Sequence, residues 1–353
     1  MTTIRRILSA MALSASVFSV ALPLPAHATG PHHGANQAPS TPLPGRAIAQ
    51  IDQAWSSWTR NHNVRASAIA VGYDGELVYS AGRRRDPATP YPVASLSKAI
   101  TAVCTEAVLA EIGHTFDVTL GDLAEYLAPH LAIPSHVRNL RVSDLIAQRS
   151  GLATDPTQVA FDRHLYDRAP QHRIHAAQAI APTRAKGTRG AYAYNNANYA
   201  VLGTLIEAVS GQTYADACQA RVLDPSGVRS GHLSRDWQAL SGAAGWALSA
   251  EDYLRFAMAA FSPRTTRGAR PFALPNASIG DGAYYGMGLV FRKEAQGTTF
   301  WHNGKLCVNR AGHDAGAYLI KRGPWTIVVN YAFCPRRGED WALDRALWPI
   351  IAR

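Results

Sequence analysis

The sequence predicts an α+β fold: an antiparallel sheet drawn from both chain ends and flanked by helices, with a mainly helical lobe inserted between. Short β-prone runs separated by turn residues lie near the start of the chain, at 66–81, and again across 285–333. The stretch between, 95–261, repeats its apolar residues at helical spacing. The two termini would then share a sheet lobe, 45–94 and 262–353. Residues 95–261 would form the inserted lobe. Clefts between such lobes are favoured ligand sites.

The elements follow in order. Arg5 and Arg6, an apolar run over 7–24, and Ala26-His27-Ala28 have the layout of a secretory signal peptide over 1–28, cleaved near Ala28. Pro23 and Pro25 interrupt the run, which argues against a membrane anchor. Residues 29–44 carry too few large apolar side chains to offset the entropy of ordering, so they form a flexible lead-in. A domain follows over 45–353. Ile48, Ile51, Ala54 and Trp55 give a helix over 47–58. Residues 66–73 and 76–81 form a hairpin around Asp74-Gly75. Three long helical runs come next. They cover 95–112, with Gly113 as its stop, 196–209, stopped by Gly211, and 252–261. Strands are predicted over 285–291, 299–307, 315–321 and 325–333, and a final helix over 339–352.

The net charge is +10, and losing Arg5 and Arg6 with the leader makes it +8. In an exported protein, periplasmic or secreted, such a balance favours electrostatic association with anionic envelope polymers. No aromatic-interleaved basic stripe points to nucleic acid. After the leader no apolar run is long enough to span a bilayer. The chain is read as a monomer.

Four cysteines, Cys104, Cys218, Cys307 and Cys334, allow three connectivities in an oxidising compartment. The first two fall in predicted helices and the last two end predicted strands. That favours Cys104–Cys218 and Cys307–Cys334, with four buried thiols as the alternative. Their spacing matches no zinc pattern, and His32 and His33 lack companion ligands, so neither metal nor organic cofactor is expected.

Three short patterns could carry chemistry. Ser95 and Lys98 lie three apart at a helix start, on one face. An unprotonated lysine can take the proton from a serine hydroxyl, and the helix N-terminus favours a developing oxyanion. Tyr194 and Asn196 open a second helix and can present a phenol and a carboxamide. The phenol serves as a base only if a cation such as Lys98 depresses its pKa. His302-Asn303-Gly304-Lys305 lies in a predicted strand, where glycine marks close approach to the backbone. His302 could hold a substrate carboxylate or the tyrosine. There is no Gly-x-Ser-x-Gly elbow.

In this order the patterns resemble class C β-lactamases, D-alanyl-D-alanine carboxypeptidases and related serine esterases. Residues 145–152 (LIAQRSGL), 199–211 (YAVLGTLIEAVSG), 222–228 (VLDPSGV), 245–256 (GWALSAEDYLRF) and 285–289 (YGMGL) extend the likeness over nearly the whole mature chain. The resemblance implies a β-lactamase/transpeptidase-like fold and a penicillin-binding-protein-like serine hydrolase. Ser95 would be acylated, Lys98 or Tyr194 would be the base, and the Ser95 and Lys305 N–H groups would form the oxyanion hole. Asn196 would orient the substrate amide and His302 the leaving side. The substrate would be a small molecule or of peptidoglycan type. His302 in place of lysine favours a D-Ala-type carboxypeptidase, peptidase or esterase. The alternatives are a class C-like β-lactamase or a penicillin-binding sensor that does not turn over. Gln148-Arg149 replaces the usual His-Thr, and Lys305 replaces a small residue, which could supply a cation to an anionic substrate.

Overall fold

Alternation along the strands packs a large core on each face of the main sheet. The computed structural model describes residues 45–182, 187–295, 297–310, 312–336 and 338–352. The leader (1–28) and lead-in (29–44), with His32 and His33, lie outside the described residues. The N-terminal helix α1 (Gly45–Asn61) leads into the hairpin of β1 (Ser67–Tyr73) and β2 (Glu76–Arg83). Asp74 and Gly75 both take positive φ, 52° and 87°, as a tight two-residue hairpin turn requires.

Two-residue β3 (Tyr91–Pro92) precedes a 3-10 turn, Ala94–Leu96, and helix α2 (Ser97–Glu111). The helical segment continues through α3 (His172–Ile180), α4 (Asn196–Ser210) and α5 (Ala250–Ala260). It also contains β4 (His232–Leu233) and β5 (Trp246–Leu248), which join β3 in a small sheet ordered β3-β5-β4. The C-terminal part adds β6 (Asn276–Gly280), β7 (Ala283–Gly286), β8 (Leu289–Glu294), β9 (Gly297–Leu306), β10 (Ala315–Arg322) and β11 (Trp325–Tyr331). Helix α6 (Glu339–Ile351) closes the chain.

The main sheet is ordered β2-β1-β11-β10-β9-β8-β7-β6, with antiparallel neighbours throughout. It takes strands from both chain ends, the α+β architecture expected from the sequence. On β1, Ala68 and Ala70 face the core shared with α2, α4 and α5, whereas Ile69 and Val71 face the core under α1 and α6. On β10, Ala317 and Leu319 part from Tyr318 and Ile320 in the same way. Period-two alternation of apolar side chains on both faces accounts for a sheet covered on both sides.

Two elements differ from their sequence expectation. Residues 285–291, expected as one strand, are two strands joined by a turn at Met287 (φ 50°) and Gly288 (φ 79°). The apolar run hid the turn, because the run itself is packed: a Cβ on Gly288 would lie 2.3 Å from the Ala99 backbone nitrogen. The run 95–112 is divided into the 3-10 turn and α2, and its expected stop holds. The Gly113 N–H donates to Ala110 O and the His114 N–H to Leu109 O.

The four cysteines are paired. Cys104 of α2 is bonded to Cys218 with Cα atoms 5.2 Å apart, and Cys307 to Cys334 at 5.4 Å. Among the described residues no helix is long and apolar enough to cross a membrane.

Candidate active site

The 3-10 turn ahead of α2 is anchored from several directions. The Val93 N–H donates to Trp246 O at 2.9 Å, the Tyr253 hydroxyl to Leu96 O at 2.8 Å, and the Trp246 N–H to Ser97 Oγ at 3.1 Å. Ala94 is held at φ 50°, a left-handed conformation that costs an alanine about 1 kcal/mol or more and persists only when its surroundings fix it. The next residue is Ser95. It is half-buried in the first helical turn, where backbone N–H groups have no intrahelical partner.

Lys98 is fully buried one turn on. Its ammonium donates to Ser95 Oγ at 3.2 Å, to Asn196 Oδ1 at 2.7 Å and to Ala243 O at 2.9 Å. Burial disfavours the charged form and pulls its pKa down to about 7, with the Asp155 carboxylate opposing the fall. Near neutral pH a large fraction of Lys98 is therefore an amine able to accept the Ser95 proton.

Tyr194 lies over the same group, its ring centroid 4.8 Å from Lys98 Nζ. It is 42 % exposed, while its hydroxyl engages the Ser95 side chain. Desolvation of that hydroxyl raises its pKa, and the Ser95 hydrogen bond opposes this only in part. Sequence reasoning required Lys98 to depress the phenol. The structure reverses that expectation, because desolvation of the hydroxyl outweighs the groups that favour the phenolate. Tyr194 is a proton donor here, not a standing phenolate.

Asn196, expected to orient the substrate amide, is held by three neighbours. Its carbonyl oxygen accepts from Lys98, its Nδ2 donates to Thr157 Oγ1 at 3.0 Å and its backbone N–H donates to Asp155 Oδ2 at 3.0 Å. The carbonyl end positions the lysine, and Nδ2 keeps a second N–H beyond the one given to Thr157. Asp155 and Thr157 escaped the sequence reading. Asp155-Pro156-Thr157 carries the signature of a capped turn, since Asp155 Oδ1 accepts from the Thr157 N–H. Nothing local to that signature points to Lys98. Gln148, at φ 58°, holds the same loop: its Oε1 accepts from the Asn195 N–H at 3.0 Å and from Asn198 Nδ2.

The third segment comes from β9. Its pairing with β8 ends at Val290↔Trp301, which leaves 302–306 with a strand edge free of β8. Gly304 passes directly over the nucleophile turn: a Cβ there would lie 2.8 Å from both Ser95 N and Val93 O. Only glycine lets the strand backbone come this close. His302 is buried beside Tyr194 and Tyr285, with ring centroids 6.2 and 6.0 Å away. Burial, then the nearby Lys98 charge, push its pKa down to about 3, and its Nδ1 has no hydrogen-bond partner among the described residues. A neutral imidazole holds a carboxylate or the tyrosine by a ring N–H hydrogen bond and not by charge. Lys305 is exposed and alternates onto the face of Trp301, which packs toward α1 and α6, opposite His302 and Gly304. Its side chain does not share their face.

A serine and an amine in contact, a phenol over both, and a strand edge at the nucleophile turn together make a site for acyl transfer. The family model described as beta-lactamase matches residues 46–333, most of the chain. The chain belongs to the beta-lactamase family. It is a serine hydrolase with the β-lactamase/transpeptidase-like fold. Solved structures similar to it include the following three. One is a D-amino acid amidase from Ochrobactrum anthropi SV3 complexed with L-phenylalanine amide, at 13 % identity and TM-score 0.68, covering 87 % of this chain and 98 % of that one. A second is a D-stereospecific amidohydrolase from Streptomyces sp., at 19 % identity and TM-score 0.67, covering 86 % and 98 %. The third is an octameric penicillin-binding protein homologue from Pyrococcus abyssi, at 17 % identity and TM-score 0.67, covering 87 % and 78 %. At these identities the likeness establishes the fold. No curated protein sequence matches the chain.

Proposed function

We propose that this beta-lactamase family member is an exported hydrolase that cleaves amides or peptides of D-amino acids through an acyl-Ser95 intermediate. The carrying observation is the Lys98 amine, 3.2 Å from Ser95 Oγ with its pKa drawn to about 7. Lys98 takes the Ser95 proton as Oγ attacks the carbonyl carbon. Tyr194, a neutral phenol, gives its proton to the departing nitrogen, and the Lys98 ammonium returns a proton to the phenolate. Water then cleaves the ester and frees Ser95. The Ser95 and Lys305 N–H groups stabilise the oxyanion, each donor contributing about 3–4 kcal/mol in comparable sites. Fold and catalytic residues do not set the substrate. The D-configured amide is favoured by two amidase neighbours of the same fold. Export is favoured by the signal-like leader and two disulfides.

The test is turnover by the mature protein and its Ser95→Ala variant on D- and L-amino acid amides, D-alanyl-D-alanine peptides, nitrophenyl esters and a chromogenic cephalosporin. D-amides or D-peptides should be preferred at least tenfold over L-enantiomers. Activity should fall by about a thousandfold or more in Ser95→Ala. Mass spectrometry should find the acyl group on Ser95. Full activity in Ser95→Ala would overturn the mechanism. A stoichiometric adduct without turnover would replace hydrolysis by a sensor role, and faster cephalosporin than amide cleavage would replace the substrate class.

A further inference from the structure

Away from Ser95, the loop that carries Tyr194 and the segment that carries Gln148 together wall a cavity of about 620 Å³. Three of its lining residues are arginines, Arg141, Arg149 and Arg189, and one is a carboxylate, Asp144. The Asp144 side chain is only 10 % exposed and its two oxygens are divided between two guanidinium groups. Arg149 Nε donates to Oδ1 at 3.0 Å, and Arg189 Nε and Nη2 donate to Oδ2 at 3.1 and 2.8 Å. Arg149 Nη1 is turned to Asn276 O at 3.3 Å and Arg189 Nη2 also reaches Asn139 O at 2.6 Å. Arg149 Nη2 and Arg189 Nη1 have no protein acceptor among the described residues. Arg141 reaches only the exposed carboxylate of Asp117, at 3.8 Å, and is itself 57 % exposed.

One carboxylate thus fixes two guanidinium groups and leaves Arg149 Nη2, Arg189 Nη1 and a third arginine for a ligand. Against Asp144 and the Asp117 carboxylate beside Arg141 the three cations keep one excess positive charge, and their free N–H groups suit the several oxygens of a phosphate-type anion. Guanidinium groups bind phosphate oxygens in pairs, and two of these are already oriented by Asp144, so less side-chain freedom is lost on binding. Arg189 is five residues from Tyr194, at most about 18 Å of chain, and the cavity's lining includes none of Ser95, Lys98, Tyr194 and His302.

We propose that this cavity is a binding site for a phosphate-type oxyanion, distinct from the acyl-transfer site. Free inorganic phosphate and the phosphodiesters of an anionic polymer carry the same chemistry. Titration calorimetry at pH 7 and low salt tests it with two probes, inorganic phosphate and a poly(glycerol phosphate) chain. Both should bind, and tenfold tighter binding of the polymer per phosphate would identify the polymer as the source, equal affinity the free ion. Arg141→Gln and Arg189→Gln should each weaken phosphate binding by about five- to tenfold, since each leaves Asp144 paired with Arg149, and the double variant should abolish it. Arg141→Lys, which keeps the charge but not the fork, should fall between. No heat with phosphate up to about 20 mM, well past a millimolar affinity, would overturn the proposal. So would unchanged affinity in the double variant, or binding that survives it but disappears in Lys305→Gln.

Discussion

Lys98 concentrates the chemistry of the site in one atom, because the burial that makes it a base also opposes folding. Its pKa is about 7 in the folded chain against an ordinary value of 10.5. Between those values the unfolded chain binds a proton that the folded chain does not. Stability therefore rises with pH across that window, by up to about 1.4 kcal/mol per pH unit from this group alone. Below pH 7 the penalty is fully present. Lys98→Met, which fills the same space without a charge, should abolish acylation and raise the denaturant unfolding free energy at pH 6 by a few kcal/mol. The gain should shrink steadily toward pH 9. A gain independent of pH would show that Lys98 is charged in the folded protein throughout. In the wild type, kcat/KM on the favoured amide should climb through an apparent pKa near 7 as the amine forms. A profile flat from pH 5 to 9 would assign the base elsewhere.

Strand β9 and the turn before α2 form the pair of elements on which the geometry rests. The backbone of one is pressed on the backbone of the other at Gly304. Gly304→Ala places a methyl 2.8 Å from Ser95 N, against main chain that cannot give way as a side-chain tip can. The strand must retreat from Ser95. Turnover should fall at least a hundredfold, the effect of losing one oxyanion donor, with far-UV circular dichroism unchanged. Retention of more than a tenth of the activity would separate this edge from the oxyanion. The contact also marks how far the sequence could be read. Ser95, Lys98, Tyr194, Asn196 and Gly304 stand in short motifs, and their segments do converge. The α+β class followed from strand runs at both ends, and the turns at Asp74-Gly75, Gly113 and Gly211 from residues that accept positive φ. What stayed hidden depends on tertiary placement. The Ala243 carbonyl that accepts a hydrogen bond from Lys98 is main chain and has no side-chain signal. Asp155 and Thr157 look like any capped turn until α4 brings Asn196 against them. The direction of the Tyr194 shift depends on burial, which the motif does not encode, and the side of β9 that Lys305 occupies depends on the register of the sheet.

Across the whole molecule, the two disulfides tie down different things. Cys104–Cys218 closes a sequence separation of 114 residues and joins α2 to the short helix Tyr214–Cys218 inside the larger core. Cys307–Cys334 spans 27 residues and fastens the end of β9 to the segment after β11. Loop-closure entropy assigns about 5 kcal/mol to a loop of the first length and about 3.5 kcal/mol to one of the second. Stability and activity should therefore respond in opposite order. The paired Cys104→Ala and Cys218→Ala change should cost more in unfolding free energy, since it frees the longer loop and opens space in a packed core. The paired Cys307→Ser and Cys334→Ser change should cost less stability but more turnover, because Cys307 lies two residues from Lys305 and loosening it frees the strand edge beside Ser95. Denaturant unfolding and kcat measured on both double variants decide this. If the second pair is lost without any fall in kcat, the β9 edge is held by its pairing with β10 alone, and the disulfide contributes to stability without positioning the oxyanion donor.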